Sequence, residues 1–461
     1  MSEATTIGNV HWDLALIQKY NHSGPRYTSY PTALEFNESY NDDDFSMAAK
    51  RYPDRPLSLY VHIPFCHKLC YFCGCNKVIT RHQHKADIYL DYLEKEIKVR
   101  SSLFKNRQVT QIHWGGGTPT YLTEEQSLRL MAMLRHHFTI AENAEISIEM
   151  DPREIELSML SHLRELGFNR ISMGVQDFNK AVQKAVNREQ DEEFVFALMK
   201  RARELGFQST NLDLIYGLPL QTVDSFMFTL QRVIELNPDR LSVFNYAHLP
   251  SRFAGQHKIK DEQLPAPETK LTILQKTIET LGHAGYRFIG MDHFAKPDDE
   301  LAIAQENGVL HRNFQGYTTQ EECDLLGLGV SAISLLGDTY AQNQKELKHY
   351  YADVELRGIA LHKGLVMTEE DCLRRDVIKQ LICNFKLDYA TIESLYSIDF
   401  TSHFAEDLAL LAPLVEDGLI EIHETGLQVT PQGRLLIRNI CMCFDTYSRQ
   451  QARRQQFSRI I

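Results

Sequence analysis

The stretch Leu57-Ser58-Leu59-Tyr60-Val61-His62-Ile63-Pro64-Phe65-Cys66-His67-Lys68-Leu69-Cys70-Tyr71-Phe72-Cys73 runs from an apolar, strand-like segment straight into three cysteines. Three thiolates hold a four-iron, four-sulfur cluster by three of its irons and leave the fourth open to a small molecule. A closed structural zinc site takes four protein ligands instead. A zinc knuckle with Cys75 as fourth ligand is the competing reading, but the spacing lacks paired C-x-x-C units.

Working outward, further strands are predicted at Gln111–Gly115, Glu145–Met150, Arg170–Val175, Asn211–Tyr216 and Leu241–Ala247. Helix patterns near 84–102, 123–137, 154–166, 191–205 and 222–236 alternate with them. This repeated strand-helix order predicts an α/β fold with a parallel sheet, an incomplete (β/α)6 barrel of the TIM type, with active residues at the C-terminal ends of the strands. Residues 1–56 read as an N-terminal arm, 57–350 as the partial barrel and its extension, and 351–461 as a mainly helical domain. Within the extension a helix is predicted near 268–284 and a strand at Arg287–Phe294. Within the last segment a hairpin is predicted in Glu416–Thr430 and a helix over Gln432–Arg449. Helix, hairpin, helix is a winged-helix order, which serves as a packing module as often as a DNA reader.

The 461 residues are 43% hydrophobic and 24% charged, an ordinary composition for a soluble protein. A formal charge of -12 argues against nucleic-acid binding, which needs a basic face. No apolar run is long enough to span a membrane, and the first residues lack the order of a signal peptide, so a cytoplasmic location is expected. Nine cysteines, with Cys66, Cys70, Cys73 and Cys75 crowded together, suit a reducing compartment and metal ligation better than a disulfide framework. No heptad or long apolar edge stands out, and a monomer is expected.

Gly115-Gly116-Gly117-Thr118-Pro119 follows the second strand. It is either a tight turn or a place where backbone N–H groups approach a ligand. Glu149 ends the third strand, Gln176 follows the fourth, and Asp213 lies inside an apolar strand, where a carboxylate is costly unless paired or ligand-bound. Asp213 is also readable as a loop cap, and Arg188 as a surface charge at a helix end. In the arm, Arg26 can bind a carboxylate in two-point fashion, and Tyr27 and Tyr30 can cover a macrocycle or tie the arm down.

The cysteine spacing, with Phe72 before the last thiol, resembles the signature of radical S-adenosylmethionine enzymes. The match sharpens with Leu59 to Cys66, the Cys-x-Cys ending at Cys75, the run Gly24 to Thr32, and Asn211 to Pro219. Together these resemble the oxygen-independent coproporphyrinogen III dehydrogenase family. The resemblance implies oxidative decarboxylation of two propionates of coproporphyrinogen III to vinyl groups through a 5′-deoxyadenosyl radical, giving protoporphyrinogen IX in haem biosynthesis. It implies one [4Fe-4S] cluster on Cys66, Cys70 and Cys73, two S-adenosylmethionine molecules, an electron donor for the cluster and a terminal electron acceptor. It assigns Tyr60, Gly116 and Glu149 to the first S-adenosylmethionine, and Phe72, Gly117, Thr118, Gln176, Arg188, Asp213, Ala247 and Ile333 to the second. Cys75 is left outside the metal set. The alternative is a haem chaperone of the same superfamily, which carries a His-Asn-x-x-Tyr-Trp motif; here the comparable stretch reads His311-Arg312-Asn313-Phe314-Gln315-Gly316-Tyr317 with no tryptophan following.

Overall fold

The computed structural model describes residues 5–7, 9–320 and 323–449. They gather into two compact units that interleave along the chain. One comprises 36–266 and 322–366, the other 1–35, 267–321 and 367–461.

The first unit is built on strands β1 (Leu57–Ile63), β2 (Gln108–Gly116), β3 (Thr139–Met150), β4 (Arg170–Gln176), β5 (Ser209–Tyr216) and β6 (Arg240–Asn245). Four more follow: β7 (Asp324–Leu328), β8 (Ile333–Leu336), β9 (Thr339–Asn343) and β10 (Leu361–Val366). Their order is β6-β5-β4-β3-β2-β1-β7-β8-β9-β10, and the first and last are not paired, so the sheet is not closed into a barrel. The strands from β6 to β7 are all parallel. Those from β7 onward pair antiparallel.

The predicted strands lie at their expected places, with two shortened ends: the strand expected over Leu57–Phe65 ends at Ile63, and that over Leu241–Ala247 ends at Asn245. β1 stops at Ile63 because Pro64 has no N–H to continue the ladder. Strand β10 lies within the segment after residue 350 that is otherwise mostly helical.

Helices α1 (His84–Ser101), α2 (Glu124–His137), α3 (Leu157–Glu165), α4 (Lys180–Ala185), α5 (Glu192–Glu204), α6 (Val223–Leu236) and α7 (Leu347–Arg357) belong to this unit, with a further helix over Asp42–Arg51 ahead of β1. Their apolar stripes are buried: Leu90, Leu93 and Ile97 on α1, Leu130 and Leu134 on α2, Val195, Leu198 and Ala202 on α5. Thr123 and Thr222 start α2 and α6 as capping boxes, satisfying orphan N–H groups of the first turn.

Side chains alternate across a strand with period two. In β4 the fully buried positions are Ile171, Met173 and Val175, leaving Ser172, Gly174 and Gln176 on the other, partly open face. In β5 the same face carries Asn211 and Asp213, and in β3 it carries Glu145, Ser147 and Glu149. This polar face is where the site lies.

In the second unit, Pro267–His283 forms the expected helix, and Arg287–Gly290 pairs with His293–Ala295 as a hairpin where one strand was expected. Ile420–His423 pairs with Gly426–Val429, and Lys386–Asp388 adds a third strand. The helix expected over Gln432–Arg449 is confined to Ile437–Cys443.

Candidate functional site

The cysteine loop closes on itself at its base. Phe65–Cys66 pairs in parallel with Val78–Ile79, the Val78 N–H donates to the Pro64 carbonyl at 2.7 Å, and the Thr80 N–H donates to the Cys66 carbonyl at 3.0 Å. Cys66 and Cys70 are buried, Cys73 half-buried and Cys75 exposed. The Thr118 hydroxyl donates to Cys66 Sγ at 3.3 Å. Arg153 Nη2 and Arg188 Nη1 each donate to Cys70 Sγ at 3.2 Å. Burial pushes the Cys66 thiol up to about 11. The hydrogen bond from the Cys75 thiol, helped against burial by the Lys77 ammonium, pulls Cys73 down to about 6.

Three thiols on one tethered loop, two of them receiving hydroxyl or guanidinium donors on sulfur, fit a cluster held by three cysteines. Among the described residues no three His, Cys, Asp or Glu side chains gather as a single-ion site. A cubane's thiolates sit on separate irons and require no such convergence.

The glycine turn lies against this loop. The Gly117 N–H donates to the Ile63 carbonyl at 2.8 Å and the Thr118 N–H to the Phe65 carbonyl at 2.9 Å. A Cβ on Gly117 would stand 2.7 Å from the Pro64 carbonyl carbon. Gly116 holds φ at +113°, a region that favours glycine, and a Cβ there would meet the His62 ring at 2.5 Å. His62 Nε2 lies 3.0 Å from the Asn76 carbonyl, which only accepts, so this nitrogen carries the proton. Burial lowers the His62 pKa and keeps the ring neutral, leaving Nδ1 to accept from the Tyr60 hydroxyl at 3.0 Å. Tyr60 also stacks on His113, its ladder partner on β2, at 6.0 Å between ring centres.

His113 Nε2 lies 3.3 Å from Glu149 Oε1, and the Gly116 N–H donates to Glu149 Oε2 at 3.2 Å. Burial tends to raise the Glu149 carboxyl, but the hydrogen bond and charge of His113, with the Gly116 N–H, outweigh it and hold it below the ordinary carboxylate range. Glu149 is anionic, yet 43% of its side-chain surface stays open. It therefore lines a hollow rather than filling a core.

On the Cys70 side, Arg188 runs under β4, with Nε donating to the Gly174 carbonyl at 3.2 Å and Nη1 to Asp151 Oδ2 at 3.0 Å. Arg153 grips both Asp151 oxygens, Nε on Oδ1 at 2.9 Å and Nη2 on Oδ2 at 2.6 Å. Burial would raise Asp151, but the two guanidiniums outweigh it and hold the carboxyl at about 2. Gln176 sits beside Arg188 with φ +69°, where the β4–β5 register shifts, and its buried Oε1 has no donor among the described residues. Asp213 Oδ1 accepts from Asn211 Nδ2 at 2.8 Å; burial first, then the charge of Glu149, raises its carboxyl to about 6.

Phe72 and Ala247 are joined through Gln256, whose Nε2 donates to both carbonyls, at 3.0 and 3.2 Å. Phe72 packs on the apolar group of Val182, Val186, Leu218, Tyr246 and Ile259. Ile333 starts β8, two strands from β1, on the antiparallel extension.

The arm residues belong to the second unit. Arg26 pairs with Asp292. The Tyr27 hydroxyl donates to Asp445 Oδ2 at 2.9 Å, and the Tyr30 hydroxyl lies 3.1 Å from Thr446 Oγ1. Both tyrosines are buried and anchor the arm to residues 445–447.

Arg153, Asp151, His62, His113 and Gln256 were not singled out from sequence. Asp151 and Arg153 directly follow β3, two and four residues after Glu149. The rule that functional residues follow parallel strands was signal enough to flag them. Gln256 lies in a turn far from Phe72 in sequence and offered none.

An open sheet of parallel strands that delivers a three-cysteine loop, a glycine turn and a carboxylate to one face defines a radical S-adenosylmethionine enzyme. Residues 60–233 match the family model described as the Radical SAM superfamily, and residues 367–436 match the HemN C-terminal domain. The chain is 69% identical over 456 residues to the oxygen-independent coproporphyrinogen III oxidase of Escherichia coli (strain K12), covering 99% of this chain and 100% of that protein. To the protein of the same description from Pseudomonas aeruginosa it is 51% identical over 460 residues, 99% and 100% of the two chains. Among solved structures it is similar to the Escherichia coli coproporphyrinogen III oxidase (HemN), with a TM-score of 0.93 and 67% identity over 95% of this chain and 100% of that one. The chain belongs to the oxygen-independent coproporphyrinogen III oxidase family, within the radical S-adenosylmethionine superfamily.

Proposed function

We propose that this chain catalyses the anaerobic oxidative decarboxylation of coproporphyrinogen III to protoporphyrinogen IX, with Cys66, Cys70 and Cys73 holding a [4Fe-4S] cluster. The observation that carries this reading is identity of 69% spread over nearly the full length of both chains. When bound, the cluster and S-adenosylmethionine supply a one-electron cleavage that yields a hydrogen-abstracting radical.

The chain's own residues bind and orient. Glu149, anionic and open, suits an ammonium group, with Tyr60 and Gly116 framing the same hollow. Thr118, Arg153 and Arg188 stabilise negative charge on sulfur through their donors. Gln176 Oε1 offers a buried acceptor, and Asp213 a carboxyl that changes charge near pH 6. Phe72, Ala247 and Ile333 supply apolar surface. These residues, with Gly117, make up the contacts to two S-adenosylmethionine molecules. Arg26 is the arm's cation for a substrate carboxylate, and Tyr27 and Tyr30 hold the arm that carries it. An electron donor, a terminal acceptor and a monomeric, cytoplasmic protein complete the reading.

The test is an anaerobic assay of cluster-loaded protein with reductant, S-adenosylmethionine and coproporphyrinogen III. Carbon dioxide and 5′-deoxyadenosine are expected together. Absence of both from cluster-loaded protein overturns the reading.

A further inference from the structure

Arg312 is a half-buried cation with two shielded donors that no acceptor among the described residues meets. It stands on the strand His311–Asn313, paired across a hairpin with Gly316–Thr318, and its direct ladder partner is Tyr317. The guanidinium carbon lies 4.7 Å from the centre of the Tyr317 ring, so the plane is held by the aromatic face. Tyr317 in turn is fixed, its hydroxyl donating to the Ile382 carbonyl at 3.3 Å and its ring meeting His293 edge-on at 5.2 Å. Nε and Nη1 of Arg312 are both shielded from solvent and have no acceptor among the described residues.

A second guanidinium belongs to the same unit. Arg438 is buried and donates to the carbonyls of Gly24 and Pro25, directly before Arg26. Burial first, then the charges of Arg26 and Arg312, lower the Arg438 pKa, so Arg438 feels both of these guanidiniums. Asp292 pairs with Arg26. Buried charged donors left without acceptors are costly, and clustered guanidiniums compound the cost. Both penalties vanish when an anion enters, and the adjacent Nε–H and Nη–H of a guanidinium match the two oxygens of a carboxylate.

We propose that Arg312, backed by Arg438, is a binding site for a propionate carboxylate of the tetrapyrrole substrate. The site rests on the functional reading above and adds to it a substrate contact outside the arm. Arg312 holds the substrate by charge and direction and takes no part in the radical chemistry.

The probe is coproporphyrin III, the stable oxidised macrocycle with the same four carboxylates, compared with its tetramethyl ester by fluorescence titration of the full chain. The parent chain is expected to prefer the acid over the ester. Arg312→Gln is expected to weaken acid binding at least about tenfold while leaving ester binding unchanged. Backbone hydrogen exchange in residues 311–318 of the parent is expected to slow with the acid and not with the ester. That second measurement needs no variant and decides the matter if Arg312→Gln does not fold. Acid binding that is indifferent to Arg312→Gln, or exchange in the hairpin that ignores the acid, overturns this site alone. A parent chain that binds neither porphyrin overturns the functional reading and the site with it.

Discussion

Asp213 shows how one residue inside a parallel strand carries a pH dependence. Its carboxyl is raised to about 6 by burial and by the neighbouring charge of Glu149, with Asn211 as a partial counterweight. A folded-state pKa above the unfolded value means that the folded chain binds the proton more tightly. The stabilisation from this group is therefore complete below the unfolded value near 4 and is lost as pH rises through about 6. Asp213→Asn cannot ionise, so its stability relative to the parent should climb between pH 4 and pH 7.5, reaching a gain of roughly 2 kcal/mol. Thermal unfolding of both proteins across that range checks this. Parallel curves would show that Asp213 is not a strained carboxylate. A residue of this kind is partly legible in sequence, because a carboxylate among apolar strand residues is conspicuous. The partners that set its charge are not.

At the scale of elements, the segment after β3 is the joint of the site. Asp151 is 6% exposed and accepts from Arg153 and Arg188, which both also donate to Cys70. Here the carboxyl is depressed to about 2, so its stabilisation is present above the ordinary value of 3.8 and lost as pH falls through 2. Arg153→Gln removes a two-point partner and leaves Arg188 to carry the buried charge alone. A loss of about 2–3 kcal/mol at pH 7 is expected, shrinking as pH falls from about 4 toward 2. Urea unfolding of parent and variant at several pH values measures it, and a penalty equal at all of them would contradict the ion-pair account. The elements themselves were readable wherever a local period existed, as in the amphipathic α1, α2, α5 and α6. Strand β7 was not, because all five of its residues, Asp324 included, are buried, and a run buried on both faces shows no alternation.

For the whole molecule, the second unit is stitched from chain ends. Arg438 holds the carbonyls of Gly24 and Pro25, Tyr27 reaches Asp445, and the His11 N–H donates to the Pro431 carbonyl at 3.0 Å. A chain ending at Val366 lacks every one of these anchors. Its arm should be cut by trypsin after Arg26 much faster than in the full chain, where Tyr27 on the far side of that bond is buried. Mass spectrometry of timed digests reads the outcome. Equal protection in both would mean that the arm is held by something other than residues 367–449. The contiguous segments 1–56, 57–350 and 351–461 describe texture along the chain, whereas the compact units draw on pieces from across those bounds.

The sequence by itself determined the cysteine loop, the glycine turn, the six strand-helix alternations and the class of chemistry, because each rests on neighbours in the chain or on a local period. Only the tertiary structure decided that Arg153, 83 positions from Cys70, donates to its sulfur, and that Arg438, 413 positions from Pro25, holds the arm. It also decided that Arg312 lies half-buried over a tyrosine with two shielded donors to spare. Such pairings depend on which distant segments meet when the chain closes, and on how much water is excluded there. Neither quantity is written in any local pattern of residues.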